Sequence, residues 1–120
     1  MSANMAYYRP MDSQKNQRLD PLTIPEISYR MRLLRKTTGL NQTEFAKRVG
    51  VARNVWANVE GEFGRIGVDT ALKLCSKYLV TLDWIYRGDT TLLPHGLAVR
   101  LEEVAEEERA HLDPRGQKRA

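Results

Sequence analysis

Arg53, Asn54, Ala57 and Asn58 have types and spacing suited to recognition by hydrogen bonding rather than to bond making. On a helix, positions i, i+1, i+4 and i+5 share one broad face. Arginine carries a planar fork of donors that matches O6 and N7 of guanine. Asparagine matches N6 and N7 of adenine, and an alanine between them can meet a thymine methyl. Each good bidentate pair discriminates by about 1–3 kcal/mol. A phosphate contact or plain solvent exposure is the alternative for each residue, most evenly for Asn58. Just upstream, Asn41, Gln42 and Thr43 stand at the start of another helical segment. Their side chains, with the free N–H groups of a first helical turn, suit a phosphate oxygen. Gln42 could equally brace the neighbouring side chain at the start of the next helix. Arg65, in a glycine-punctuated loop, is a further candidate phosphate contact.

Other chemistry finds little support. His95 and His111 are far apart in polar surroundings, and Ser13, Ser28 and Ser76 have no base at motif spacing. The single cysteine, Cys75, excludes an internal disulfide and a cysteine metal cluster. It lies on an apolar stripe, where a small core residue is the commoner role. No phosphate-cradling glycine loop is present. The residues imply no catalytic group, no metal and no cofactor.

The elements that must position these side chains can be read from pattern. Residues 40–60 divide into two short helices about a turn at Gly50. Asn41 and Glu44 have capping-box spacing, and Phe45, Ala46 and Val49 share a face. Gly50 supplies the positive φ of the turn, and Val51 plugs it. The second helix runs from about Ala52. Val55, Trp56 and Val59 form its inward stripe, opposite Arg53, Asn54, Ala57 and Asn58. Trp56 is a core residue on this reading.

An earlier helix starts near Thr23, with Pro25 in its first turn and Glu26 three residues after Thr23, again capping-box spacing. Ile27, Met31 and Leu34 share its face and Gly39 ends it. A fourth helix spans about Val68 to Tyr78, with Ala71, Leu72, Cys75 and Leu79 inward. Thr81 caps a fifth, Leu82 to Arg87, closed by Gly88. Beyond Pro94 and Gly96, a sixth covers about Leu97 to Leu112. Its apolar side holds Leu97, Leu101, Val104 and Leu112; its acidic side holds Glu102, Glu103, Glu106, Glu107 and Glu108. That stripe is too short for a lone coiled coil and should pack on the domain or on a second subunit.

The 120 residues suit one small domain with tails. Net charge is +4, unevenly spread. Residues 1–60 hold ten Lys/Arg against five Asp/Glu, and residues 61–120 nine against ten. The basic half contains the recognition candidates, which fits a polyanionic partner, although basic surface is also common solubilising surface. No apolar run approaches the roughly 20 residues that cross a bilayer, and no apolar signal core opens the chain. A reducing cytoplasm is the expected setting. Residues 1–22 read as a flexible arm whose Arg9, Lys15 and Arg18 could touch phosphate or a minor groove. A plain leader is the stronger reading.

From Ile27 to Gly88 the chain resembles, without a gap, the XRE-type helix-turn-helix family, which includes Cro and the lambdoid phage repressors. The resemblance rests on ISYRMRLLRKTTGLNQTEFAKRVGV (27–51), the two-helix segment through Glu60, and TLDWIYRGD (81–89). It implies an all-α fold: a five-helix lambda-repressor-like DNA-binding domain over 23–90, here with a C-terminal helical extension over 91–120. It implies a sequence-specific double-stranded DNA-binding transcriptional regulator, such as a repressor, whose helix of about 52–60 docks in the major groove. A homodimer would read two half-sites about 34 Å apart. The resemblance gives Gln42 a phosphate-binding or bracing role and pairs Arg35 with Glu60 as a structural ion pair. The chain departs from the family where Glu62 replaces a common glycine and Ile66 a common proline. The alternative is a protein-interaction module of the same fold, an antitoxin or a partner of RNA polymerase or another regulator, acting through the 97–112 helix.

Overall fold

The computed structural model describes residues 20–112 of the chain. Among them are six α-helices and no strand: α1 (Ile24–Thr38), α2 (Gln42–Val49), α3 (Arg53–Glu60), α4 (Val68–Tyr78), α5 (Leu82–Arg87) and α6 (His95–Leu112). Of the arm expected over residues 1–22, residues 1–19, with Arg9, Lys15 and Arg18, lie outside the described residues, as does the tail beyond residue 112. Residues 20–22 are tied to the domain, the carbonyls of Pro21 and Leu22 accepting from Arg30 and Arg65.

Local chemistry sets most of the boundaries. The box before α2 forms in full: Asn41 Oδ1 accepts from the Glu44 N–H at 2.8 Å, and Glu44 Oε1 accepts from the Asn41 N–H at 3.1 Å. Thr81 caps α5 by accepting from the Trp84 N–H at 3.0 Å. Gly50 ends α2 at φ 95°, a conformation that costs an L-residue roughly 1–2 kcal/mol. The Thr23 cap does not form. The Thr23 hydroxyl donates instead to the Asp20 carbonyl at 2.8 Å, so α1 starts without a side-chain cap, helped by Pro25 in its first turn.

The core is one cluster shared by all six helices. Ile27, Met31 and Leu34 of α1 are buried, as are Phe45, Ala46 and Val49 of α2. Trp56 is wholly buried; its ring lies 4.7 Å from that of Phe45, and Phe45 stacks on Tyr78 at 5.3 Å. The helix α6 packs along α1 through buried Leu101 and Val104, and Glu108 pairs with Lys36 (3.1 Å) and Arg32 (3.5 Å). The extension therefore covers its own domain. No described helix is long and apolar enough to cross a membrane.

Two inward stripes are narrower than the sequence pattern implies. Val55 is 39% exposed, because Trp56, Val59 and Glu60 already fill the buried arc of α3. On α4 the buried side chains are Thr70, Ala71 and Leu74, whereas Leu72 and Leu79 are exposed and Cys75 is half-buried. Leu79 is the left-handed cap of α4 and turns away from the core.

Candidate nucleic-acid interface

The helix α3 has eight residues, and its N-cap is Ala52, which has no side chain to accept a bond. A helix this short does not hold its own shape in water. Tertiary bonds hold it, and they cluster at its C-terminal end. Glu60 is the hub. Its Oε1 accepts from Arg35 Nη2 and Gln42 Nε2, both at 3.0 Å; its Oε2 accepts from Arg35 Nε and Trp56 Nε1, both at 2.6 Å. Ser28 of α1 adds a hydroxyl bond to the Val59 carbonyl at 2.6 Å. Burial pushes the Glu60 carboxyl up, but the bonds from Arg35, Gln42 and Trp56, with the Arg35 charge, outweigh it and hold the group below the ordinary glutamate value. The Arg35–Glu60 pair is thus present, with both side chains largely buried. Arg35 also donates to the Leu40 carbonyl at 3.0 Å, tying in the connection between α1 and α2.

The opposite face of α3 is left to solvent. Arg53, Asn54 and Asn58 are exposed, and Ala57 is half-buried beside them. Arg53 Nε donates to the Thr43 hydroxyl at 3.0 Å, which links the starts of α2 and α3 along the same surface. Val55 joins this face from its other edge, a residue that the sequence reading placed inside. The helical wheel carries the signal: position 55 lies 100° from Trp56, beyond an arc that Glu60 also occupies.

The α2 end of the surface differs in detail from expectation. Asn41 Oδ1 accepts the cap bond, and the amide N–H groups of the same side chain are the donors that can serve an anion. The Gln42 side chain is half-buried and given to Glu60, at the far end of α3 rather than its start. The physical reason is the demand of a buried carboxylate for donors. The backbone N–H groups of Gln42 and Thr43 lie in the first helical turn, where no intrahelical acceptor exists, and Thr43 is exposed. Lys73 Nζ donates to the Gly50 carbonyl at 3.0 Å, pinning the turn to α4.

Arg65 is exposed, and one guanidinium N–H is bonded to the Leu22 carbonyl. Glu62 adopts φ 65°, where glycine is the easier residue. The core accommodates Ile66, buried at 3% exposure, with the Tyr86 hydroxyl donating to its carbonyl at 2.7 Å.

Several basic side chains of the first half are engaged internally. Arg30 is buried and donates to the carbonyls of Ile85 (3.0 Å) and Pro21 (2.7 Å), closing the end of α5. Arg32 and Lys36 face Glu108. Exposed cations around the two-helix surface are Lys47, Arg48, Arg53 and Arg65. The basic excess of the first half is therefore spent partly on architecture. No family model, curated protein or solved structure matches the chain.

Proposed function

We propose that the chain is a sequence-specific double-stranded DNA-binding transcriptional regulator, built as a lambda-repressor-like domain of the XRE type and working in the cytoplasm at a bacterial or phage-borne operator. One observation carries this reading: Arg53, Asn54 and Asn58 stand exposed on α3 while Trp56, Val59 and Glu60 of the same helix are locked into the core. The helix α3 enters the major groove with its N-terminal side chains on base edges. The start of α2 and Arg65 meet the flanking phosphates. One eight-residue helix reads only a few base pairs, so a homodimer on two half-sites is part of the proposal.

Selection from random duplexes with the full chain tests it, followed by a salt titration of the selected duplex. A preferred sequence is expected, with a log–log salt slope of about −2 to −4 per protomer if two to four phosphates are neutralised. Absence of any preferred duplex, with affinity insensitive to salt, defeats the reading. That result would favour the second reading, a protein-interaction module. The exposed Glu102, Glu103, Glu106 and Glu107 of α6 speak for it, a surface suited to a basic patch on polymerase or another regulator.

A further inference from the structure

The reading face of α3 does not end at Asn58. A cleft of about 200 Å3 opens beside it, between α3 and the loop that follows. Val55, Asn58 and Val59 form one wall, Phe63 and Arg65 the other, and Thr70 lies at its base. No carboxylate lines it. Phe63 is 79% exposed and Val55 39%, so the cleft sets apolar surface beside the polar residues of the exposed face. The Phe63 N–H donates to the Asn58 carbonyl at 3.2 Å, and the ring lies over Gly61, where a Cβ would sit 2.8 Å from Cε2.

We propose that this cleft takes the C5 methyl group of a thymine, making Val55 and Phe63 specificity-determining residues. The inference rests on the DNA-reading function above. Three chemistries converge in the cleft, and a thymine–adenine base pair with its flanking phosphate supplies a partner for each. The apolar walls of Val55 and Phe63 take a methyl group, which only thymine displays among the unmodified bases in the major groove. The Asn58 amide, one helical turn from Val55, matches N6 and N7 of adenine, the base paired to thymine. Arg65 on the outer wall, an exposed guanidinium, meets the phosphate of the same strand. A protein partner with an apolar side chain would use the Phe63 wall alone and leave the amide and the guanidinium without a role.

The test replaces thymine by uracil, one position at a time, in the duplex selected by the intact protein. The swap removes one methyl and nothing else. Burial of one methyl is worth about a fourfold change in affinity. The expected result is a loss of about three- to fivefold at one or two thymines per half-site. That loss should vanish in Val55→Ala and in Phe63→Ser, while other positions of the duplex keep their preference. Both residues are exposed, so a thermal melt should show the variants folded; the uracil series with unaltered protein stands in any case. Uracil tolerated at every thymine of a duplex that is otherwise bound selectively overturns the inference and leaves DNA reading intact. So does a uracil penalty that persists undiminished in both variants, which would place the methyl elsewhere. Failure to select any duplex removes the DNA-reading function itself, and the inference with it.

Discussion

Replacing Glu60 by glutamine should cost this domain more than almost any other change of one atom. The carboxylate accepts four hydrogen bonds, two at each oxygen, and Arg35 supplies one donor to each. Glutamine keeps one acceptor and turns the other into a donor. In either orientation of the amide, two N–H groups then face an N–H, and one of them belongs to Arg35. Bonds involving a charged partner contribute about 1.5–3 kcal/mol each, so losing two gives about 3 kcal/mol or more. Breaking one partner of a buried pair costs about 3–5 kcal/mol, which agrees. A domain of this size loses about 4–8 °C of melting temperature per kcal/mol, so a fall of about 12–24 °C is expected. Urea and thermal unfolding, followed by helical circular dichroism and by the fluorescence of the buried Trp56 and Trp84, would measure it.

The same carboxylate fixes the pH behaviour. Its folded pKa is lowered, so its contribution is complete above the unfolded value of about 4.3 and is lost as pH falls through the lower folded value. Unaltered protein should lose stability below about pH 4 with a proton uptake that Glu60→Gln lacks, and above about pH 5 the two curves should run parallel. A Glu60→Gln loss under about 1 kcal/mol would refute the reasoning, since no orientation of the amide satisfies all four donors.

Other changes should separate reading from folding. Arg53→Ala with Asn54→Ala should abolish, in a binding assay, preference at the base pairs these two residues read yet move the melt by less than about 0.5 kcal/mol per site, because both side chains are exposed; an unfolded double variant would show them to be structural. The Tyr78 hydroxyl is buried without a hydrogen-bond partner among the described residues, and burial raises its pKa, slightly offset by Arg48. Tyr78→Phe keeps the stack on Phe45 and should be neutral or stabilising by up to about 1–2 kcal/mol in urea unfolding; a clear loss would reveal a partner for that hydroxyl. Glu62→Asn relieves part of the left-handed strain at φ 65° and removes a negative charge beside the loop. It should raise stability by up to about 1 kcal/mol and tighten DNA binding at low salt, and a fall in both quantities would count against the placement of the loop.

What could be read from the sequence was local. The box of Asn41 and Glu44, the cap at Thr81 and the left-handed glycines at 39, 50 and 88 are each decided within a few residues, and each forms. Thr23 has the same spacing to Glu26 but loses its hydroxyl to a nearer acceptor, the Asp20 carbonyl. The face of α4 was out of reach for another reason. Val68, Leu72, Cys75 and Leu79 make one helical stripe; Ala71 and Leu74 belong to a second. Periodicity cannot rank two apolar stripes on an 11-residue helix; packing against α2 and α5 does. Nor does any local pattern say that Arg30 will be buried, because its acceptor at Ile85 lies 55 residues away.

The distribution of polar bonds along α3 explains why such a costly hub is worth keeping in a small domain. A buried ion pair adds little net stability compared with apolar packing of the same volume. What it adds here is direction. The carboxylate ties the last residue of α3 to α1 through Arg35 and to α2 through Gln42, and Ser28 fixes the residue before it. The exposed Arg53 and Asn54 stand at the other end, about two turns away. An apolar contact would let the helix roll by part of a turn at little cost, since dispersion has no preferred angle. Four directed bonds of 2.6–3.0 Å to one carboxylate do not. The polar network therefore converts the positions of α1 and α2 into the azimuth of the outward side chains. Recognition of base edges requires that constraint, and a helix that served only to fill the core would not.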